Sequence, residues 1–179
     1  NWVSGAELAD SIGCDVLNTS LGYTTFDDST QDHTWADLDG LTTRISIAQG
    51  IASRKGMIPV NSAGNSGSSD WRYISAPADA FDILAVGAVD TARHVANFSS
   101  RGPSADGRVK PDVAAMGLHT IGLDGGGWNV GPISGTSFSG PLVAGRTTTW
   151  ATASPTSGGR ICSWVAATSP AFHNPRPCM

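Results

Sequence analysis

From Phe81 to Val89 the chain reads Phe-Asp-Ile-Leu-Ala-Val-Gly-Ala-Val, a stretch that past Asp82 is continuously apolar or glycine. A strand with one wet face alternates polar and apolar residues; this one does not, so both of its faces must be buried. Buried strands of that kind sit in parallel sheets covered by helices. Two further segments fit the same plan. Gly5, Leu8, Ala9 and Ile12 lie at helical spacing between Trp2 and Ile12, and Asp15 to Ser20 follows with strand character. Leu41, Ile45, Ala48 and Ala52 repeat at helical intervals, Gly56 stops that helix, and Met57 to Ser62 reads as the next strand. The expected fold is therefore α/β, a three-layer, mostly parallel sheet with helices on both faces. A complete domain of this type opens on a strand, whereas this chain opens on a helix, so the sheet is expected to be incomplete at the N-terminus.

A length of 179 residues with 22 glycines and only 15% charged residues suits one domain with many tight turns. A net charge of −4 provides no basic stripe, which argues against nucleic acid as a partner. The longest clear apolar run, Ile83 to Val89, is too short to cross a bilayer, so no membrane partner is expected. The chain opens at Asn1 without a basic n-region or an apolar h-region, so no secretory signal is visible in it. Three cysteines, Cys14, Cys162 and Cys178, have no metal-site spacing and leave any disulfide open. Composition shifts after Gly145: Asp124 is the last acidic residue, and Thr147-Thr-Thr149 is a poor continuation for a helix. The domain is thus expected to span 1–145, with 146–179 a divergent, weakly structured tail.

Three small-residue runs carry the chemistry. Ser134-Gly-Thr-Ser-Phe-Ser-Gly-Pro-Leu-Val-Ala-Gly145 turns into a short apolar helix. A serine there meets the positive end of the helix dipole, and the backbone N–H groups can hold an oxyanion. An ordinary N-capped helix would use the same residues. Val60-Asn-Ser-Ala-Gly-Asn-Ser-Gly67 follows a strand, at the sheet edge where open α/β proteins bind ligands. Asn18-Thr-Ser-Leu-Gly22 ends another strand in the same manner.

Taken together these runs resemble the subtilisin-like serine peptidases, the subtilase family. Gly135-Thr-Ser-Phe-Ser-Gly-Pro141 with Val143-Ala-Gly145 is similar to the family's nucleophile motif, and Ala63-Gly-Asn65 to its oxyanion-hole motif. Phe98-Ser-Ser-Arg-Gly102 and Lys110-Pro-Asp-Val-Ala-Ala115 match further signatures in order. The resemblance spans about Trp2 to Gly145. It implies Ser137 as the nucleophile and Asn65 as the side-chain donor to the oxyanion. It also implies Ser20, Leu21 and Gly22 as the strand that pairs with an extended polypeptide substrate, and Ser62, Ala63 and Gly64 as the wall of its specificity pocket. Secretion follows from the same resemblance; no cofactor and no metal ligand are implied, and oligomeric state is not.

The family's triad runs Asp, His, Ser along the chain. Neither of the first two motifs is present: His33, His94, His119 and His173 are each followed by a residue other than Gly, and Asp28-Ser-Thr30 lacks the glycine. The acid-rich loop Asp27 to Asp39 reads as a solvated insertion, with calcium as its lesser alternative. An α/β-hydrolase order is excluded, because no acidic residue follows Ser137. The expectation is a serine endopeptidase fragment, truncated before Asn1 and nearly inactive alone. The alternative is a non-catalytic remnant of the fold that binds peptides.

Overall fold

The computed structural model describes residues 1–123, 129–151 and 159–165. Helix α1 (Trp2–Ser11) leads into strand β1 (Val16–Ser20), and α2 (Arg44–Arg54) into β2 (Ile58–Ser62). Strands β3 (Leu84–Val89) and β4 (Val113–Met116) follow, then the hairpin β5 (Thr120–Leu123) and β6 (Val130–Ile133), helix α3 (Thr136–Ala151) and strand β7 (Ile161–Val165). Five strands form one sheet in the order β4-β3-β2-β1-β7, and every pairing in it is parallel. The expected fold class is the observed one.

Alternation along the strands assigns each side chain to a layer. On one face Leu17 joins Trp2, Ala6 and Ala9 of α1 and Ala52 of α2. On the other, Val16, Val60 and Val86 pack against Ala144 of α3. Residue β1 positions 17 and 19 therefore look toward α1, where the Trp2 indole N–H donates to Thr19 Oγ1 at 3.2 Å. Positions 16, 18 and 20 look toward α3.

Local hydrogen bonds move the element ends away from the apolar pattern. Helix α2 starts after Thr43, whose hydroxyl accepts from the Ser46 N–H, while Asp39 draws the N–H groups of Leu41 and Thr42 into a separate turn. Leu41 is left 67% exposed, outside the helix it was expected to begin. In α1 the buried face is Trp2, Gly5, Ala6 and Ala9, and Leu8 and Ile12 are exposed. Phe81 to Ile83 precede β3 as a turn, with the Phe81 ring 3.9 Å beneath the Arg108 guanidinium.

The boundary expected at Gly145 falls inside α3, which runs on to Ala151. Thr147 is accommodated there by donating its hydroxyl to the Ala144 carbonyl at 2.7 Å. Strand β7 lies within the expected tail and pairs with β1 over five residues. Its approach is fixed by Arg160, whose carbonyl accepts from the Asp15 and Val16 N–H groups and whose own N–H donates to the Asp15 carboxylate. A buried disulfide, Cys14–Cys162, crosses the same junction. Cys178 and the rest of 166–179 lie outside the described residues.

One buried carboxylate ties loop to helix. Asp79 is fully buried and accepts from the Ser46 hydroxyl at 2.6 Å and the Gly40 N–H at 2.8 Å. Loss of hydration raises its pKa, against the pull of those two donors and of the nearby Arg108 guanidinium. Arg108 also donates to the backbone carbonyls of Asp39, Asp79 and Ala80.

Two outcomes follow for stability. Asp79→Ala leaves two buried donors unpaired and should lower the unfolding free energy by about 2 to 4 kcal/mol, with Asp79→Asn costing less; urea denaturation measures both. The folded chain binds the Asp79 proton at a higher pH than the unfolded chain, so acidification toward the ordinary carboxylate range should stabilise the wild type relative to Asp79→Asn. Separately, reducing Cys14–Cys162 frees a covalent loop that spans 148 residues and should cost roughly 2 to 5 kcal/mol in the same assay run with and without a thiol.

Candidate active site

The carboxyl ends of β1 and β2 and the start of α3 meet at Thr136. This first residue of α3 is fully buried. Its backbone N–H donates to Asn65 Oδ1 at 2.8 Å, and its hydroxyl donates to the same oxygen at 3.0 Å. The hydroxyl oxygen in turn accepts from the Gly64 N–H at 3.2 Å. A backbone N–H can only donate, so the Asn65 atom facing it must be the carbonyl oxygen. The amide nitrogen, Nδ2, is then the atom that Thr136 does not hold, and it makes no hydrogen bond among the described residues.

The backbone on both sides of this contact takes conformations that glycine allows. Gly64 has φ +109°, and a Cβ there would lie 2.9 Å from Ser100 Oγ and 3.1 Å from Ser75 Oγ. Gly135 lies on the other side, directly before α3. A Cβ at that position would meet Asn65 Nδ2 only at an ordinary 3.5 Å, and it is the φ of +154° that calls for glycine.

Ser137 is the second residue of α3 and is half-buried. Its hydroxyl has no hydrogen-bond partner among the described residues. Its carbonyl accepts from the Ser20 hydroxyl at 3.0 Å. Ser137, Asn65, Ser20 and Gly64 are therefore brought together through α3. Ser62 is buried at the end of β2 on the α3 side. Ala63 points the other way: its side chain is fully buried among Leu38, Ile74, Ala76 and Ala85, so only its backbone remains available at the strand end. Leu21 and Gly22 follow β1 outside any ladder, with Leu21 packed against the α1-side core.

The two downstream signatures serve as braces. Ser99 Oγ accepts from the Ala88 N–H in β3, and Ser100 Oγ accepts from the Ser66 N–H in the loop that carries Asn65. Asp112 accepts from the Ala85 N–H and from the buried Lys110 ammonium, and the Gly102 N–H donates to the Lys110 carbonyl. Ser75 and Ser100 at the site, and Thr136 above all, were missed as contributors from the sequence, although the first-turn position of Thr136 beside Ser137 is a signal for a capping contact.

None of the described histidines hydrogen-bonds to Ser137. His33 packs edge-on against Phe26, His94 lies 3.3 Å from Asp90, and His119 is exposed and donates its backbone N–H to Ser134 Oγ. His173 is outside the described residues. In the acid-rich loop the carboxylates serve its own turns. The Thr30 hydroxyl and the Gln31 amide hold Asp28 below the usual carboxylate range, and the Thr34 N–H does the same for Asp37. Among the described residues no group of three or more His, Cys, Asp or Glu is arranged to hold a metal ion.

The model of the subtilase family matches residues 2–166. The membrane-bound transcription factor site-1 protease of Mus musculus is 35% identical over 142 residues, covering 75% of this chain and 12% of that protein. Subtilisin DY of Bacillus licheniformis is 32% identical over 146 residues, covering 80% of this chain and 44% of that protein. Among solved structures, the patellamide maturation protease PatA superposes with a TM-score of 0.61 at 28% identity, over 80% of this chain and 46% of its own. The chain thus spans less than half the length of each of these relatives. Among the described residues no helix is long and apolar enough to cross a membrane.

Thr136 is the testable joint. Thr136→Val keeps the shape but removes the hydroxyl that bridges Asn65 and Gly64, and should cost about 1 to 3 kcal/mol in urea denaturation, whereas Thr136→Ser should cost less than half as much.

Proposed function

We propose, from the premise that the chain belongs to the subtilase family, that it forms the nucleophile-bearing part of a serine endopeptidase. Ser137 Oγ attacks the carbonyl carbon of a peptide bond and forms an acyl-enzyme; water then releases the acyl group. The Asn65 amide and the N–H groups at the start of α3 receive the negative charge that develops on the carbonyl oxygen. The observation that carries this reading is the Asn65 side chain, locked by its oxygen onto Thr136 with its nitrogen left free one residue from Ser137. Ser20, Leu21 and Gly22 hold an extended polypeptide by its main chain, and the Ser62 to Gly64 backbone lines the pocket for a side chain. The chemistry requires no cofactor.

The Ser137 proton must pass to a base, which then delivers it to the departing amine. That base and its orienting carboxylate lie outside the described residues, in a segment that carries the family's Asp and His motifs. Without them turnover falls by roughly a million-fold, the loss measured when a subtilisin loses its base. The 179 residues alone are therefore nearly inert. The buried Cys14–Cys162 disulfide supports an extracytoplasmic location, where such bonds persist.

A second reading is that the chain binds extended peptides without cleaving them. The absence of a hydrogen-bond partner for the Ser137 hydroxyl among the described residues favours it.

Fluorophosphonate labelling separates the two. The chain assembled with a segment bearing the Asp and His motifs should label at Ser137, the isolated chain should not, and Ser137→Ala should abolish labelling. Asn65→Ala should reduce kcat of the assembled protein by about 10²- to 10³-fold, as losing this donor does in a subtilisin. Peptide binding with no labelling in either form would establish the second reading instead.

A further inference from the structure

We infer that Ser20 is a positioning residue for Ser137, its hydroxyl standing in for a helical N–H that Pro141 lacks. The inference deepens the proposed function and rests on it, since it concerns the residue assigned as nucleophile.

In an α-helix the carbonyl of residue 137 accepts from the N–H of residue 141. Residue 141 is proline, inside α3, and has no N–H to give. The Ser137 carbonyl thus loses its helical donor in the turn that sets the direction of its side chain. A carbonyl without a donor at the sheet surface is costly, and a helix missing one of its first bonds is free to bend there. The Ser20 hydroxyl is placed to fill the gap: it donates to that carbonyl at 3.0 Å and is 3% exposed.

Strand alternation puts Ser20 there. Val16, Asn18 and Ser20 share the α3 face of β1, and α3 comes close enough that a Cβ at Gly140 would lie 3.1 Å from Asn18 Oδ1. The Asn18 amide nitrogen donates to Ser163 Oγ on β7 at 2.9 Å and lies 3.4 Å from Ser20 Oγ. A hydroxyl has a single hydrogen, and the Asn18 amide on its other side leaves that hydrogen for the Ser137 carbonyl. Strand β1 thus holds the first turn of α3 through the Ser20 hydroxyl, and Asn18 ties the same strand's side chains to Ser163 of β7. The main chain of Ser20 faces substrate in the proposed function; the side chain serves the nucleophile.

The relation predicts a coupling. In the chain assembled with the Asp- and His-bearing segment, Ser20→Ala should slow labelling of Ser137 about tenfold, lowering kcat with KM within about twofold of the wild type. Ser20→Thr, which keeps the hydroxyl, should restore most of the rate. Pro141→Ala returns the missing N–H, and in that background adding Ser20→Ala should cost less than about threefold. The 13C carbonyl resonance of Ser137 should move upfield with Ser20→Ala and return when Pro141→Ala is added. Where Ser20→Ala does not fold, Ser20→Cys keeps the volume with a weaker donor and serves the same comparison. An equal loss in both backgrounds, no loss in either, or a Ser137 carbonyl resonance that ignores Ser20 would overturn the inference. Labelling that persists in Ser137→Ala would instead overturn the proposed function, and the carbonyl resonance would still report on Ser20.

Discussion

The structure around the site depends on the oxygen of one amide. Asn65 Oδ1 accepts both hydrogens that Thr136 can offer, so the loop after β2 and the first residue of α3 are joined by two bonds on one atom. Gly64, next in the loop, adds its own N–H to the Thr136 hydroxyl. A helix begins with N–H groups that have no helical partner, and here one of them is satisfied by a residue 71 positions away in the chain. The bond that completes the helix start is the same bond that aims the free nitrogen of Asn65. Under the proposed function, folding and the geometry of the anion site are then one requirement, and the donor need not reorganise when charge develops.

The layers follow from alternation on top of that joint. Because β1 and β2 are buried on both faces, each strand offers one set of side chains to α1 and α2 and the other to α3. Asn18 and Ser20, polar residues on the α3-facing side of β1, hydrogen-bond one another, β7 and the Ser137 carbonyl. On the opposite layer Gln49 of α2 and Asn61 of β2 make the equivalent arrangement at 3.1 Å. Buried polar groups in both layers mark where the sheet must be registered against its helices, a task that apolar contacts alone perform loosely.

Much of this could be read from the sequence because burial on both faces leaves a continuous apolar signal. Phe81 to Val89 announced a parallel sheet, and the order of the small-residue runs placed three loops at its carboxyl edge. Element ends were less legible. Leu41 has the periodicity of a helix residue, but Asp39 and Thr43 compete for the local N–H groups and win them, so the helix begins later. The join between β7 and β1 was hidden for a different reason: it rests on Cys14 meeting Cys162 and on Arg160 meeting Asp15, pairs about 150 residues apart that no local pattern links. Ala63 shows the limit inside a motif. The family resemblance implies a pocket wall at Ser62, Ala63 and Gly64, and the Ala63 methyl lies in the core, which leaves only its backbone for that role.

Sequence motifs that travel with a nucleophile need not touch the substrate to belong to the site. Ser100 holds the loop bearing Asn65 through the Ser66 N–H, and Lys110 with Asp112 fixes the start of β3, to which that loop's strand is paired. Loosening any of these displaces the loop relative to α3, and a displacement of about an ångström is enough to misplace a catalytic group. Under the proposed function, the bracing also explains how the nucleophile half of the site is ordered without its base. Among the described residues, Asn65 and the first turn of α3 are held by Ser20 of β1, by the loops after β2 and β3, and by α3 itself, while Gly117 after β4 holds Gly135 just ahead of the helix. Under the proposed function, a segment that brings a histidine to Ser137 adds chemistry to a site already shaped, and the binding energy of that segment is not consumed in building the oxyanion donors.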